Sequence, residues 1–110
     1  MTNYQTGHDA EKVAADYLKD NGFKIVELNW KTQYCEIDIV AEKGKRIYFV
    51  EVKSRETLFH GSGFDYVTVK KLNQMKFAGE MWVNNHGWAG DYQLAAMSID
   101  AGSINFVEIA

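Results

Sequence analysis

Proline is absent from this chain of 110 residues, cysteine occurs once, and no apolar run nears the roughly 20 residues that a membrane-spanning helix needs. Internal repeats, low-complexity tracts and linkers are missing as well. The length suffices to bury a core without staples but is short for two ordinary domains, so one domain over residues 1–110 is expected. The lone Cys35 cannot close an intramolecular disulfide, which points to a reducing compartment. The opening MTNYQTGHDAEK has neither the basic flank nor the apolar segment of a secretory leader. A soluble, cytoplasmic protein with no membrane partner is therefore expected. His8, His60 and His86 share no zinc-ligand spacing. A basic excess is also missing: the formal charge is -3, without the footprint of a chain whose main task is gripping phosphates. Lys43, Lys45, Arg46, Lys53, Arg55, Lys70, Lys71 and Lys76 nevertheless all fall in the middle half of the sequence, so an acidic whole can carry a basic face.

What is present falls into a simple order of elements. Ala10, Val13, Ala14, Tyr17 and Leu18 recur at helical spacing, which predicts a helix over Asp9 to Asn21, with Thr6 or His8-Asp9 as its cap and Asn21-Gly22 as its stop. FKIVELNW (Phe23 to Trp30), YCEIDIVAE (Tyr34 to Glu42) and IYFVEVKSR (Ile47 to Arg55) read as strands joined by Lys31-Thr32-Gln33 and by a turn centred on Gly44. ETLFHGSGFDY (Glu56 to Tyr66) reads as a loop, and Val67 to Val83 as a second helix that NNHGWAG breaks. Tyr92 to Ile99 and Ile104 to Ile109 are the last two strands, turning at Asp100-Ala101-Gly102. The order α-β-β-β-α-β-β predicts an α/β fold: an antiparallel meander, a helical crossover, and a mixed sheet flanked by helices.

Two strands carry charges where apolar residues are expected. Side chains alternate along a strand, so Glu51 and Lys53 share one face, and Glu36 and Asp38 share a face opposite Ile37 and Ile39. Adjacent meander strands can bring Asp38 beside Glu51. Two carboxylates that close repel unless a cation sits between them, and Mg²⁺ or Mn²⁺ suits such oxygen ligands. Lys53 would then lie beside the metal, where an ammonium can orient water or offset charge in a phosphoryl transition state.

Asp38 followed across a strand turn by Glu51-Val52-Lys53 resembles the D…(D/E)XK signature of the restriction-endonuclease-like nuclease superfamily, and the element order resembles that fold's core. More narrowly, TGHDAEKVAADYL, EIDIVAE, IYFVEVKSR and the loop running into VTVKKL resemble the YraN family, whose members are similar to Holliday junction resolvases. The resemblance spans Gly7 to Ile109, and EID with FVEVKSR at this spacing is its most specific part. It implies a Mg²⁺- or Mn²⁺-dependent endonuclease acting on branched or structured DNA. Asp38 and Glu51 would be metal ligands, joined by the Val52 carbonyl, with Lys53 the catalytic amine. Glu11, matching the family's first-helix glutamate, would bind a second metal or orient water. Arg55, Lys70 and Lys71 are the expected DNA contacts. Symmetric cutting of a junction needs two sites, so a homodimer is expected, with the third-strand neighbourhood and the aromatics near Trp82 and Trp88 as contact surface. Two departures stand out. Cys35 occupies a position where the family usually has glycine, and Asp91-Tyr92-Gln93 replaces a frequent Arg-Phe-Asp.

Plainer assignments stay open at this level. Glu51 and Lys53 could form an ion pair at a sheet edge, Asp38 could be a solvated strand residue, and Glu36 fits a supporting role better than a ligand's. Cys35 reads as a small buried hydrophobe, and Trp82, Trp88, Tyr92 and Phe106 as core or contact surface. The rival function is a non-catalytic nucleic-acid- or protein-binding module of the same fold.

Overall fold

The computed structural model describes residues 3–55, 67–100 and 103–109, with side chains described from Ala10 onward and that of Arg55 excepted. The first helix, α1 (Asn3–Asp20), begins earlier than expected, so Thr6, His8 and Asp9 lie inside it rather than capping it. Its far end follows the prediction. Phe23 N–H donates to Leu18 O and Gly22 N–H to Lys19 O, the paired bonds of a glycine-terminated helix, with Gly22 at φ 88°. Strands β1 (Lys24–Lys31), β2 (Glu36–Lys43) and β3 (Arg46–Arg55) follow, then α2 (Val69–His86), β4 (Asp91–Asp100) and β5 (Ser103–Ile109). The Thr68 side chain accepts from Lys71 N–H to cap α2, which runs past the predicted break at Asn84 and ends where Gly87 turns left-handed at φ 64°. The loop predicted over 56–66, with His60, and the centre of the turn at 101–102 lie outside the described residues.

The five strands form one mixed sheet in the order β1-β2-β3-β4-β5. β1, β2 and β3 are the antiparallel meander; α2 carries the chain over to β4, which runs parallel to β3, and β5 returns antiparallel. The β2–β3 connection is a two-residue hairpin: Lys43 pairs with Arg46 around Gly44 at φ 61° and Lys45 at φ 66°. Two positive φ angles in succession make the tight turn whose twist matches its strands. That turn sets the register, Ala41 opposite Tyr48 and Ile39 opposite Val50. Continued by one step, it places Asp38 opposite Glu51.

A helix covers each face. Ala14, Ala15 and Leu18 of α1 pack on Ile39, Ala41, Tyr48, Val50, Ala95 and Met97, while Met75, Ala78 and Trp82 of α2 pack on Val40, Ile47, Phe49 and Leu94. Because both faces are covered, β4 is buried continuously from Leu94 to Ser98. Trp82 is core rather than contact surface, only 3% exposed, with its indole N–H donating to Glu27 Oε1 at 3.1 Å. His86 stacks on it at 4.1 Å. Trp88 gives its indole N–H to Asp91 O at 2.9 Å, and β3 lies in the middle of the sheet. Trp82 and the middle of β3 are therefore covered within the fold, drawn in by the hydrophobic demand of the α2 face, whereas Trp88 is only half-buried.

Close packing of α2 on β3 depends on Gly79. A Cβ there would lie 2.9 Å from Phe49 Cδ2 and 3.1 Å from Cε2, and the Phe49 ring is itself buried. Gly79→Ala gains about 1 kcal/mol of helix propensity but must displace a buried ring, at a cost of roughly 1–3 kcal/mol. The expected outcome is net destabilisation, read as a lowered urea midpoint with unchanged slope. A midpoint at or above that of the wild type would show that α2 can ride up without loss.

Candidate metal centre

The register brings Asp38 and Glu51 together, but the backbone ladder stops one step short of them. The β2–β3 pairing ends at Ile39–Val50, whereas β2 stays paired with β1 as far as Glu36. β2 and β3 thus part at Asp38. Val52 N–H, which a continued ladder would have turned toward Ile37, is taken by the Asp38 carboxylate, Oδ2 at 2.9 Å. The same parting breaks the alternation expected for EID: Ile39 packs in the α1-side core and Ile37 in the α2-side core, so the two do not share a face. Asp38 enters the fork between strands instead of standing on one surface of the sheet. In an extended strand, a residue's N–H and C=O point toward the same edge, so the Val52 carbonyl is also directed toward the fork.

Burial is the largest cause of the electrostatic state that results. Asp38 is pushed up from its usual 3.8 to about 7, first by desolvation, then by the charge of Glu51 and more weakly by Glu11 and Glu36, while the Val52 N–H opposes the rise. Glu11 comes from α1, on one side of the sheet. Glu51, following Phe49 by two residues, lies on the α2 side, where it accepts an ion pair from Lys71 Nζ at 2.8 Å. Both partners are largely shielded from water, with side chains 33% and 19% exposed. Lys53 follows Glu51 on the same side of β3, beside Ser98 of β4, and its side chain is exposed. Among the described residues Lys53 makes no ion pair. The edge pairing of Glu51 with Lys53 is therefore not what forms: β3 is central, and the partner of Glu51 is Lys71.

Of the four residues expected to carry chemistry, Asp38 and Glu51 meet at the fork, Lys53 stands beside it, and the charge of Glu11 is felt there from α1. Lys70 is exposed in the first turn of α2, whereas Lys71 points inward to Glu51 instead of outward. Arg55 ends β3, and its side chain lies outside the described residues. Glu36 faces Lys31 at 3.7 Å in an exposed pair. Cys35 is half-buried, its Sγ 3.4 Å from Thr32 Oγ1 and 3.7 Å from Met81 Sδ, in keeping with its reading as a small hydrophobe. Among the described residues no set of three or more histidine, cysteine, aspartate or glutamate side chains is spaced to hold a metal. Asp38, Glu51 and the Val52 carbonyl nevertheless offer only oxygen atoms, the donor chemistry that a hard divalent cation takes.

The apolar stripe of α2 does not by itself mark the inward turn of Lys71. Its position three residues before Gln74 and four before the buried Met75 was the available signal. Tyr34 and Phe77, 70% and 48% exposed, belong to no motif in the sequence. They line a cavity of about 220 Å³ together with Glu51 and Lys71.

Residues 10–108 match the family described as "Uncharacterised protein family UPF0102". A UPF0102 protein of Renibacterium salmoninarum is 37% identical over 87 residues, covering 79% of this chain and 74% of that one. One from Syntrophomonas wolfei is 40% identical over 83 residues, covering 76% and 72%. One from Vibrio vulnificus is 29% identical over 106 residues, covering 92% and 87%. Among solved structures, the fold is similar to that of Hjc, a Holliday junction resolvase from the archaeal hyperthermophile Archaeoglobus fulgidus, with a TM-score of 0.61 and 18% identity over 92% of this chain and 75% of that one. The chain thus shares the fold of that protein, a mixed five-stranded sheet with a helix on each face.

Proposed function

The chain belongs to the UPF0102 family, and on that premise we propose that it is a Mg²⁺- or Mn²⁺-dependent endonuclease that hydrolyses phosphodiesters in branched or structured DNA. The observation that carries this is the fork itself: a half-buried carboxylate, Asp38, takes a strand N–H beside Glu51, with Glu11 adding negative charge from the opposite face. Such a cluster is electrostatically costly unless a cation joins it. Asp38, Glu51 and the Val52 carbonyl are the residues that would hold the ion. When bound, a divalent cation supplies positive charge to the scissile phosphate and acidifies the attacking water. The remaining work falls to the protein's own groups. Glu11 orients water from the α1 side, and the exposed Lys53 ammonium offsets charge that develops on the phosphate. Arg55 and Lys70 contact flanking phosphates. Asp38 must lose its proton before it can ligate, so metal uptake rises with pH toward about 7.

Purified protein incubated with labelled junction, flap, single-stranded and duplex DNA in Mg²⁺ or Mn²⁺ tests the activity. Preferential cutting of branched substrates is expected; no cutting of any would end the catalytic assignment. A homodimer belongs to the same proposal, and light scattering with and without junction DNA reads it directly.

One observation favours the non-catalytic binding module: Lys71 already supplies Glu51 with a cation at 2.8 Å. If the pair only competes with the metal, Lys71→Met should tighten Mn²⁺ binding by roughly five- to ten-fold, about the worth of one partly shielded ion pair. Calorimetric titration measures this. Absence of Mn²⁺ binding in both proteins would favour the module.

A further inference from the structure

We propose that the groove beside the fork is a subsite for one unpaired nucleobase, so that the substrate must offer a base out of the duplex stack next to the scissile phosphate. The inference rests on the fork being a phosphodiester site, and it names the substrate feature that site would select. Two aromatic side chains from different elements, Tyr34 in the turn before β2 and Phe77 on α2, stand 70% and 48% exposed at one cavity. Single exposed aromatics are ordinary. Two at the rim of a cavity that also holds Glu51 and Lys71 are a juxtaposition with a use. The volume, about 220 Å³, suits one ring system and not a base pair.

The other walls suit a base better than a hydrocarbon. Met75 lends apolar surface, while Gln74, one helical turn beyond Lys71, brings an amide with both a donor and an acceptor, the combination that reads base edges. The charge of Glu36 is directed to Lys31 and that of Glu51 to Lys71, so the carboxylates lining the groove are partnered. Stacking on aromatic rings is the usual way a protein holds single-stranded bases with little sequence preference. A base within intact duplex is stacked on both sides and cannot enter; a base at a junction, flap or single strand can.

The test is a binding measurement that needs no turnover. A single-stranded oligonucleotide carrying 2-aminopurine is titrated in Ca²⁺ with wild type, Tyr34→Ala, Phe77→Ala and Tyr34→Phe, each checked for an unchanged melting temperature. Fluorescence should quench on binding to wild type. Each alanine variant should bind roughly ten-fold more weakly, within the range for loss of one stacking partner, and Tyr34→Phe should bind like wild type. An oligonucleotide with an abasic site at the labelled position should compete roughly ten-fold less well. Equal binding by the alanine variants, equal competition by the abasic strand, or no quenching with wild type would each overturn the subsite. Cleavage with base-independent binding would leave the nuclease standing without this subsite. Base-dependent quenching with no cleavage of any DNA would remove the nuclease and keep the subsite.

Discussion

Lys53→Ala should cleave branched DNA at least roughly 100-fold more slowly than the wild type, the usual loss when a positioned acid, base or charge stabiliser is removed. Metal affinity and most DNA affinity should remain, because Lys53 is exposed and shares no ion pair with Glu51 among the described residues. For the same reason the fold should not weaken: its side chain supports neither core cluster. Lys53→Arg should rescue poorly, since a planar guanidinium neither occupies the position of an ammonium nor gives up a proton. Rates and melting curves measured side by side separate the two roles. Full activity in Lys53→Ala would end the assignment of Lys53 as the catalytic amine.

The second large effect is on stability and carries the opposite sign from most substitutions. Asp38→Asn should make the metal-free protein more stable at pH 8 by about 2 to 4 kcal/mol. The sign follows from proton counting. Folded Asp38 titrates near 7 and unfolded aspartate near 3.8, so between those values the native state holds a proton that the unfolded chain has released. Stability therefore falls as pH rises from about 4 to about 7, and the full penalty applies above that window. Asparagine has no charge to bury and can still accept the Val52 N–H, so the difference from wild type should vanish below about pH 4. Divalent metal should reverse the order. Mn²⁺ at pH 8 should raise the wild-type melting temperature by preferential binding to the native state and leave Asp38→Asn unmoved. Equal stability of the two proteins across pH 4 to 8 would mean that Asp38 carries no buried charge. An equal Mn²⁺ response would mean that it is not a ligand.

Much of this was legible in the chain itself. Period-two runs bounded by turns gave five strands, and the intervening helical stripe gave a parallel crossover, each within a few residues of where it forms. Gly44 marked the hairpin and let Asp38 come beside Glu51, but the exact register came from the two-residue turn Gly44-Lys45, which leaves no slack. Helix ends were harder. The start of α1 and the end of α2 overran their predicted stops, since polar residues near a helix end neither compel nor forbid another turn, whereas Gly22 and Gly87 marked the true ends by tolerating positive φ.

What the sequence by itself determined is therefore the set of groups and their order along the strands: a mixed sheet with Asp38 on one strand and Glu51 and Lys53 on its neighbour. Those facts follow from local periodicity and turn chemistry, which act over a few residues. Only the tertiary structure decided that β2 leaves β3 at Asp38, that this carboxylate takes the Val52 N–H from within the fork, that Glu11 adds negative charge from the α1 side, and that Lys71, not Lys53, neutralises Glu51 from the other. Each of these depends on how two helices far apart in sequence sit on opposite faces of one sheet. Packing sets that arrangement through the burial of Leu18, Met75 and Trp82, and no spacing along the chain encodes it.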